Sequence, residues 1–284
     1  MRTATVALAA TLLAGAAGAQ PFQGTAFMSP RILTAADPSA LRSVEYAGRG
    51  ERVIWDYRVM DWITVDAYLF DARIGARGVE FQVNPEFGSE AAARVEVDAY
   101  AADIGRLPAV LLSNLAKVHV NAGRPAHPEA ATFQPRRVFG GNRFDRSITI
   151  HTGTGEEYRQ SGFLEEVLFH EGAHVSVDGD VVDDPAWHAA QQADGGFISD
   201  YARDNPDRED VAESILPYFA VRFRPERLPP GQRQAIEEAI PARLEYFDAQ
   251  GFDWSPYMPA APARPAAAAA LLAAVLVAIS RRRR

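Results

Sequence analysis

Apolar and polar positions alternate with a period of two over three early stretches, Arg52–Met60, Trp62–Arg73 and Val79–Val83, and predict strands. Glu90 to Ile104 is alanine-rich with apolar residues at helical spacing, which predicts a helix. Leu107-Pro108 opens a second, short helix to Leu115. Lys117–Asn121 and Ser147–Thr152 alternate again and predict strands. The segment between them, Ala122–Arg146, is rich in Pro and Gly and reads as a surface loop. Beyond His151 the spacing becomes helical. Helices are expected over Glu156–Val177 and Pro185–Gln192. Asn205-Pro206, an N-cap residue followed by Pro, starts another that runs to Arg224 with a bend at Pro217. The last, Gly231–Ala249, is interrupted near Pro241. A mixed sheet followed by helices is an α+β arrangement.

The two ends follow a different pattern. Residues 1–19 carry one cation, Arg2, then the apolar run Val6–Ala14 and the small-residue triplet Ala17-Gly18-Ala19. This is the layout of a secretory signal peptide, with Gln20 as the mature N-terminus. Residues 20–50 are spotted with Pro, Gly and Ala and read as an irregular N-terminal segment. Residues 51–255 form the folded domain. Residues 256–284 comprise a Pro/Ala linker, the apolar run Ala266–Ile279 and the block Arg281–Arg284. That run would extend about 21 Å as a helix, short of a hydrocarbon core of about 30 Å. The layout resembles the tripartite C-terminal sorting signals of bacterial envelope proteins of the PEP-CTERM kind, without a Pro-Glu-Pro triplet; a thin permanent anchor is the alternative. Either way the Arg block stays cytoplasmic and the domain lies outside.

Composition narrows the chemistry. Hydrophobic residues make up 48% and charged residues 23%, enough apolar content for a sizeable core. There is no cysteine, so an exported chain must rely on packing, or on a metal, rather than on disulfides. Net charge is −8. All acidic residues lie between Gln20 and Ala260, whereas Arg2, Arg264 and Arg281–Arg284 fall outside, so the domain is more acidic than the chain. Such a surface argues against nucleic-acid binding.

His170-Glu171-Gly172-Ala173-His174 spells H-E-x-x-H. Two histidines four apart lie about 40° from one another around a helix, so both reach one metal ion. Glu171 between them is placed as a general base toward a metal-bound water. Leu164, Leu168 and Val175 share the stripe on which Glu171 projects, and a carboxylate on an apolar stripe needs a partner. A catalytic zinc also needs a third protein ligand. The Gly and His that would follow His174 in a metzincin are Val177 and Asp180 here, which excludes that class. Asp180 stays open as a third ligand. So does Glu209, which with Glu213 forms an i,i+4 pair beside the apolar positions Ala212, Ile215, Leu216 and Phe219. In that case Glu209 binds the metal and Glu213 orients a ligand histidine. The run Asp178, Asp180, Asp183, Asp184 reads as a solvated turn, and His151 and His119 as structural.

H-E-x-x-H followed by E-x-x-x-E on a second helix resembles the gluzincin metallopeptidases, the thermolysin group. The stretch Tyr201–Asn205 leading to Glu209–Glu213 is similar to the corresponding segment of the anthrax lethal factor protease domain, with one extra residue before Glu209. The whole chain looks like exported bacterial zincins. The resemblance covers mainly residues 160–224. It implies a zincin-like α+β domain with one catalytic Zn²⁺ held by His170, His174 and Glu209. It further implies Glu171 as general base, Tyr201 as hydrogen-bond donor to the tetrahedral oxyanion, and a peptide or protein substrate aligned on an edge strand, for which Ser147–Thr152 is the candidate. A catalytically silent zincin-fold binding or assembly module of the envelope is the alternative; intact Glu171 argues against it.

Overall fold

The structure, a computed structural model, describes residues 20–28, 32–125 and 139–257. The signal-like residues 1–19 and the tail 258–284 lie outside the described residues. No helix among those described is long and apolar enough to cross a membrane.

The fold is α+β. Strands β1 (Leu41–Asp56), β2 (Asp61–Ile74), β3 (Arg77–Val83), β4 (Lys117–Asn121), β5 (Phe139–Asn142) and β6 (Ser147–His151) form one mixed sheet in the order β1-β2-β3-β4-β6-β5. β3, β4 and β6 run parallel; β1, β2 and β5 pair antiparallel with their neighbours. Nine α-helices lie among the described residues. The first, α1 (Glu90–Ile104), crosses between β3 and β4 and matches its expected bounds. Ser89 caps it, its hydroxyl accepting the Ala92 N–H at 3.2 Å. The short helix expected after Leu107 is a single 3-10 turn, Ala109–Leu112.

Three expectations are corrected. Residues 41–50 are strand, not irregular. The residues before them belong to the core: Phe22, Ala26, Met28, Ile32 and Leu33 are buried in the same cluster as the sheet and helices. Their backbone is pinned by buried acids, Met28 N–H on Glu166 at 2.7 Å and Ala26 N–H on Glu213 at 2.7 Å. The helix expected over Glu156–Val177 is two, α2 (Thr152–Ser161) and α3 (Leu164–Ser176), because Gly162 takes a left-handed φ of 77° and ends α2. Finally, Asn205 closes α6 (Asp200–Asp204) rather than opening the next helix; α7 (Asp210–Phe223) starts at the turn's far end, with Glu209 in its N-cap position.

The sheet has two dissimilar faces. Val118, Val120, Ile148 and Ile150 are buried against the helices, as the strand period requires. His119, Asn121, Thr149 and His151 point the other way and are buried too. The end of the β1–β2 hairpin covers them: the Trp55 N–H lies 3.3 Å from His119 Nδ1, and the Tyr57 N–H lies 3.2 Å from His151 Nε2. Register shifts between Leu41 and Ser43 and between Tyr46 and Gly48 interrupt the β1–β2 ladder. Both imidazoles therefore serve as neutral acceptors.

This roof makes stability depend on pH. Burial pushes His119 down to about 4, against the pull of Asp145, and lowers His151 as well. An unfolded imidazole titrates near about 6.5, so between these values the unfolded chain binds protons that the folded chain refuses. The contribution of His119 is complete above about pH 6.5, is lost as pH falls toward 4, and is on the order of 3 kcal/mol. Urea midpoints measured from pH 7.5 to 4.5 should fall accordingly. A His119→Gln variant, whose amide oxygen can accept the Trp55 N–H, should show a shallower fall; an unchanged slope counts against the roof as its source.

Candidate metal centre

α3 is buried nearly all round, by Leu164, Val167, Leu168, Phe169, Ala173 and Val175, so its polar residues are placed by packing. It crosses α7, where the Phe169 and Phe219 rings lie 5.2 Å apart. That crossing brings Glu209, at the N-terminal end of α7, onto the histidine face of α3.

Three donor atoms converge. His170 Nε2 and His174 Nε2 are 3.0 Å apart, and Glu209 Oε2 lies 3.1 Å from the latter and 3.4 Å from the former. Ligands about 2.0–2.1 Å from a tetrahedral zinc are separated by about 3.3 Å, so the triangle has the size of a zinc face. Its chemistry also fits. His174 Nδ1 faces Asp178 Oδ2 at 2.6 Å, and His170 Nδ1 faces Glu213 Oε1 at 3.4 Å. In the tautomer that metal binding requires, with the protons on Nδ1 toward these carboxylates, both histidines would aim Nε2 lone pairs at each other and at a carboxylate oxygen. Such a cluster of acceptors calls for a cation at its centre. Burial works against charge on all three groups. Even so, the imidazoles hold the Glu209 carboxyl far below its ordinary range, and the surrounding carboxylates raise both imidazoles above theirs. Among the described residues this is a group that can hold a metal ion, and Asp180 is not part of it.

Two acids support the ligands, and only one was expected. Glu213 is buried; its other oxygen accepts the Ser199 hydroxyl at 2.6 Å and the Ala26 N–H at 2.7 Å, which fixes the carboxylate against α3. Asp178 sits four residues beyond His174 and bonds it directly, so it is not merely part of a solvated turn. The i,i+4 spacing on a helix was the available signal. Tyr201 O–H donates to Glu209 Oε1 at 3.1 Å, and thus holds the ligand carboxylate.

Glu171 faces a cleft of about 400 Å³ lined also by Tyr57, Gly141, Arg143 and Asp207. Its Oε2 accepts the Gly141 N–H at 2.6 Å. Gly141 lies in β5, within the segment expected to be a loop; β5, rather than Ser147–Thr152, is the edge of the sheet on this side. Two glycines permit this placement. A Cβ at Gly141 would run into the Glu171 carbonyl and within 2.8 Å of His174 Cβ, and a Cβ at Gly140 would overlap the Tyr57 hydroxyl. The backbone of β5 therefore rests directly on α3, the helix that carries His170 and His174. His151 and His119 stand apart from this site, in the sheet's covered face.

Among known proteins, no family model, no curated protein and no solved structure matches the chain.

Proposed function

We propose that this protein is an exported zinc metallopeptidase of gluzincin type, with a zincin-like fold. The observation that carries the reading is the triangle of His170, His174 and Glu209 with Glu171 on the adjoining wall of one cleft. A bound Zn²⁺ would supply the Lewis acidity that activates water and polarises a carbonyl. His170, His174 and Glu209 hold it, and Asp178 and Glu213 orient the two imidazoles. Glu171, steadied through one oxygen by Gly141, takes a proton from the attacking water and returns it to the leaving amine. The outer edge of β5, which has no further strand beside it among the described residues, runs beside Glu171, so an extended peptide can pair along it at the backbone groups other than the Gly141 N–H. Tyr201 is proposed as donor to the oxyanion. Its single O–H now serves Glu209, so that role requires the hydroxyl to leave the carboxylate as charge develops on the substrate. The signal-like pattern of residues 1–19 and the cationic tail support a location outside the cytoplasm, with the tail as a transient or lasting membrane attachment.

Metal analysis tests the assignment. The purified chain should carry about one zinc per molecule, and Glu209→Ala should lose most of it, since a structural or catalytic zinc site does not survive well with two protein ligands. Full zinc retention by Glu209→Ala would remove Glu209 from the ligand set.

A further inference from the structure

The turn joining β5 to β6 carries an unusual cation. Asn142 Oδ1 accepts the N–H groups of both Phe144 and Asp145 at 3.0 Å, which sets the turn. The Arg143 carbonyl accepts Asn114 Nδ2 at 3.0 Å, and the same amide binds the Val175 carbonyl at 2.9 Å, tying the turn to α3. The backbone of Arg143 is thus held on both sides. Arg143 is a half-buried residue on the cleft wall near Gly179, yet its guanidinium makes no hydrogen bond or ion pair among the described residues. Its one neighbour of note is the Phe144 ring, 4.8 Å away, itself 84% exposed.

Other partly buried arginines have a carboxylate nearby, Arg224 at 3.6 Å from Asp37 being the most distant of them. Arg52, Arg58, Arg159 and Arg227 each meet a carboxylate within 3.0 Å. Arg208, the other arginine of the cleft, lies 3.6 Å from Glu209. In a chain with 37 acidic residues, a half-buried arginine with no carboxylate beside it among the described residues leaves a cationic fork open to a ligand. The guanidinium presents a planar fork that matches a carboxylate with two parallel N–H···O bonds, and the exposed ring shields that pair from water.

We infer that Arg143 and Phe144 form a subsite for a substrate carboxylate beside the edge strand, so that the substrates are acidic peptides. The inference rests on the hydrolase reading for its consequence in turnover, but not for the binding it predicts. The carboxylate can belong to an Asp or Glu side chain or to a peptide C-terminus; in either case the recognising chemistry is the same.

The test uses hexapeptides with one Glu or Gln scanned through every position, each made as the free acid and as the amide. Cleavage by the full, zinc-loaded chain is measured as kcat/KM, and binding to the zinc-loaded Glu171→Gln chain by calorimetry. Glu peptides should exceed their Gln counterparts by about tenfold to a hundredfold at one position in both readouts. Arg143→Gln should bring that ratio near one with zinc content and melting temperature unchanged, and Arg143→Lys should restore part of it. A preference confined to free acids, and lost in Arg143→Gln, would support the subsite with a C-terminal carboxylate as its ligand. A ratio that is unaltered by Arg143→Gln, or no preference for acid in either readout, overturns the inference. If no peptide is cleaved while Arg143-dependent binding persists, the subsite stands and the peptidase reading falls.

Discussion

Glu171→Gln should leave zinc content and folding intact and lower peptide hydrolysis by about 10²–10⁴-fold, the usual contribution of a general base. The geometry separates these effects. Glu171 is outside the donor triangle, so the metal is not disturbed. The amide oxygen of Gln can still accept the Gly141 N–H that now bonds Oε2 at 2.6 Å, so β5 stays in place. What the substitution removes is a carboxylate able to take a proton. Turnover within tenfold of an active parent chain would exclude Glu171 as the base, whereas an inert parent chain would favour the catalytically silent alternative. The comparison with Glu209→Ala is informative because that change should act through metal loss, which added zinc can partly reverse; added zinc should not rescue Glu171→Gln.

The largest loss of stability is expected at Arg243, far from the cleft in sequence but not in structure. Its side chain is fully buried, and so are those of its partners Asp194 and Asp210, at 2.8 Å and 2.6 Å. Gln191 adds a 2.8 Å bond to Asp210, and the Gly196 carbonyl accepts from the guanidinium. This network joins the end of α5 (Pro185–Asp194), the start of α7 and the start of α9 (Pro241–Ala249). Arg243→Met would leave two buried carboxylates without a counter-charge, which costs about 3–5 kcal/mol. Urea unfolding of the metal-free chain measures it directly. A loss below about 1 kcal/mol would show that the acids are hydrated or relocated instead. Arg243→Met combined with Asp194→Asn and Asp210→Asn should recover much of the loss, because the penalty lies in the unpaired charges rather than in the missing bond. Asp210 adjoins Glu209, so weakened zinc binding in the single variant is a further expected sign.

Much of the site was legible before any contact was known. The histidine pair with its central Glu, and the downstream Glu209 and Glu213, are spaced by the helical turn, and a period within one element is a local property. The bounds of α1 and β4 were readable for the same reason. Asp178 was visible by spacing as well, but four aspartates in seven residues look like a solvated turn until one of them is seen on His174. The choice between Asp180 and Glu209 rested on where α7 crosses α3, which no spacing within either helix contains.

The chain's own pattern therefore determined the α+β class, the helix that carries His170, Glu171 and His174, and the short list of candidate third donors, because periodicity and residue chemistry are written locally. Tertiary structure alone decided the edge strand and the walls of the cleft. A Gly-Gly step in a Pro- and Gly-rich segment carries no strand signal; it becomes β5 by pairing with β6, and needs two glycines because Tyr57 and α3 press against it. The same holds for the N-terminal segment, ordered by Glu166 and Glu213, and for Arg143, whose lack of a carboxylate partner among the described residues is a fact about several surrounding elements at once. Such features depend on which distant groups meet, and a one-dimensional pattern does not contain that information.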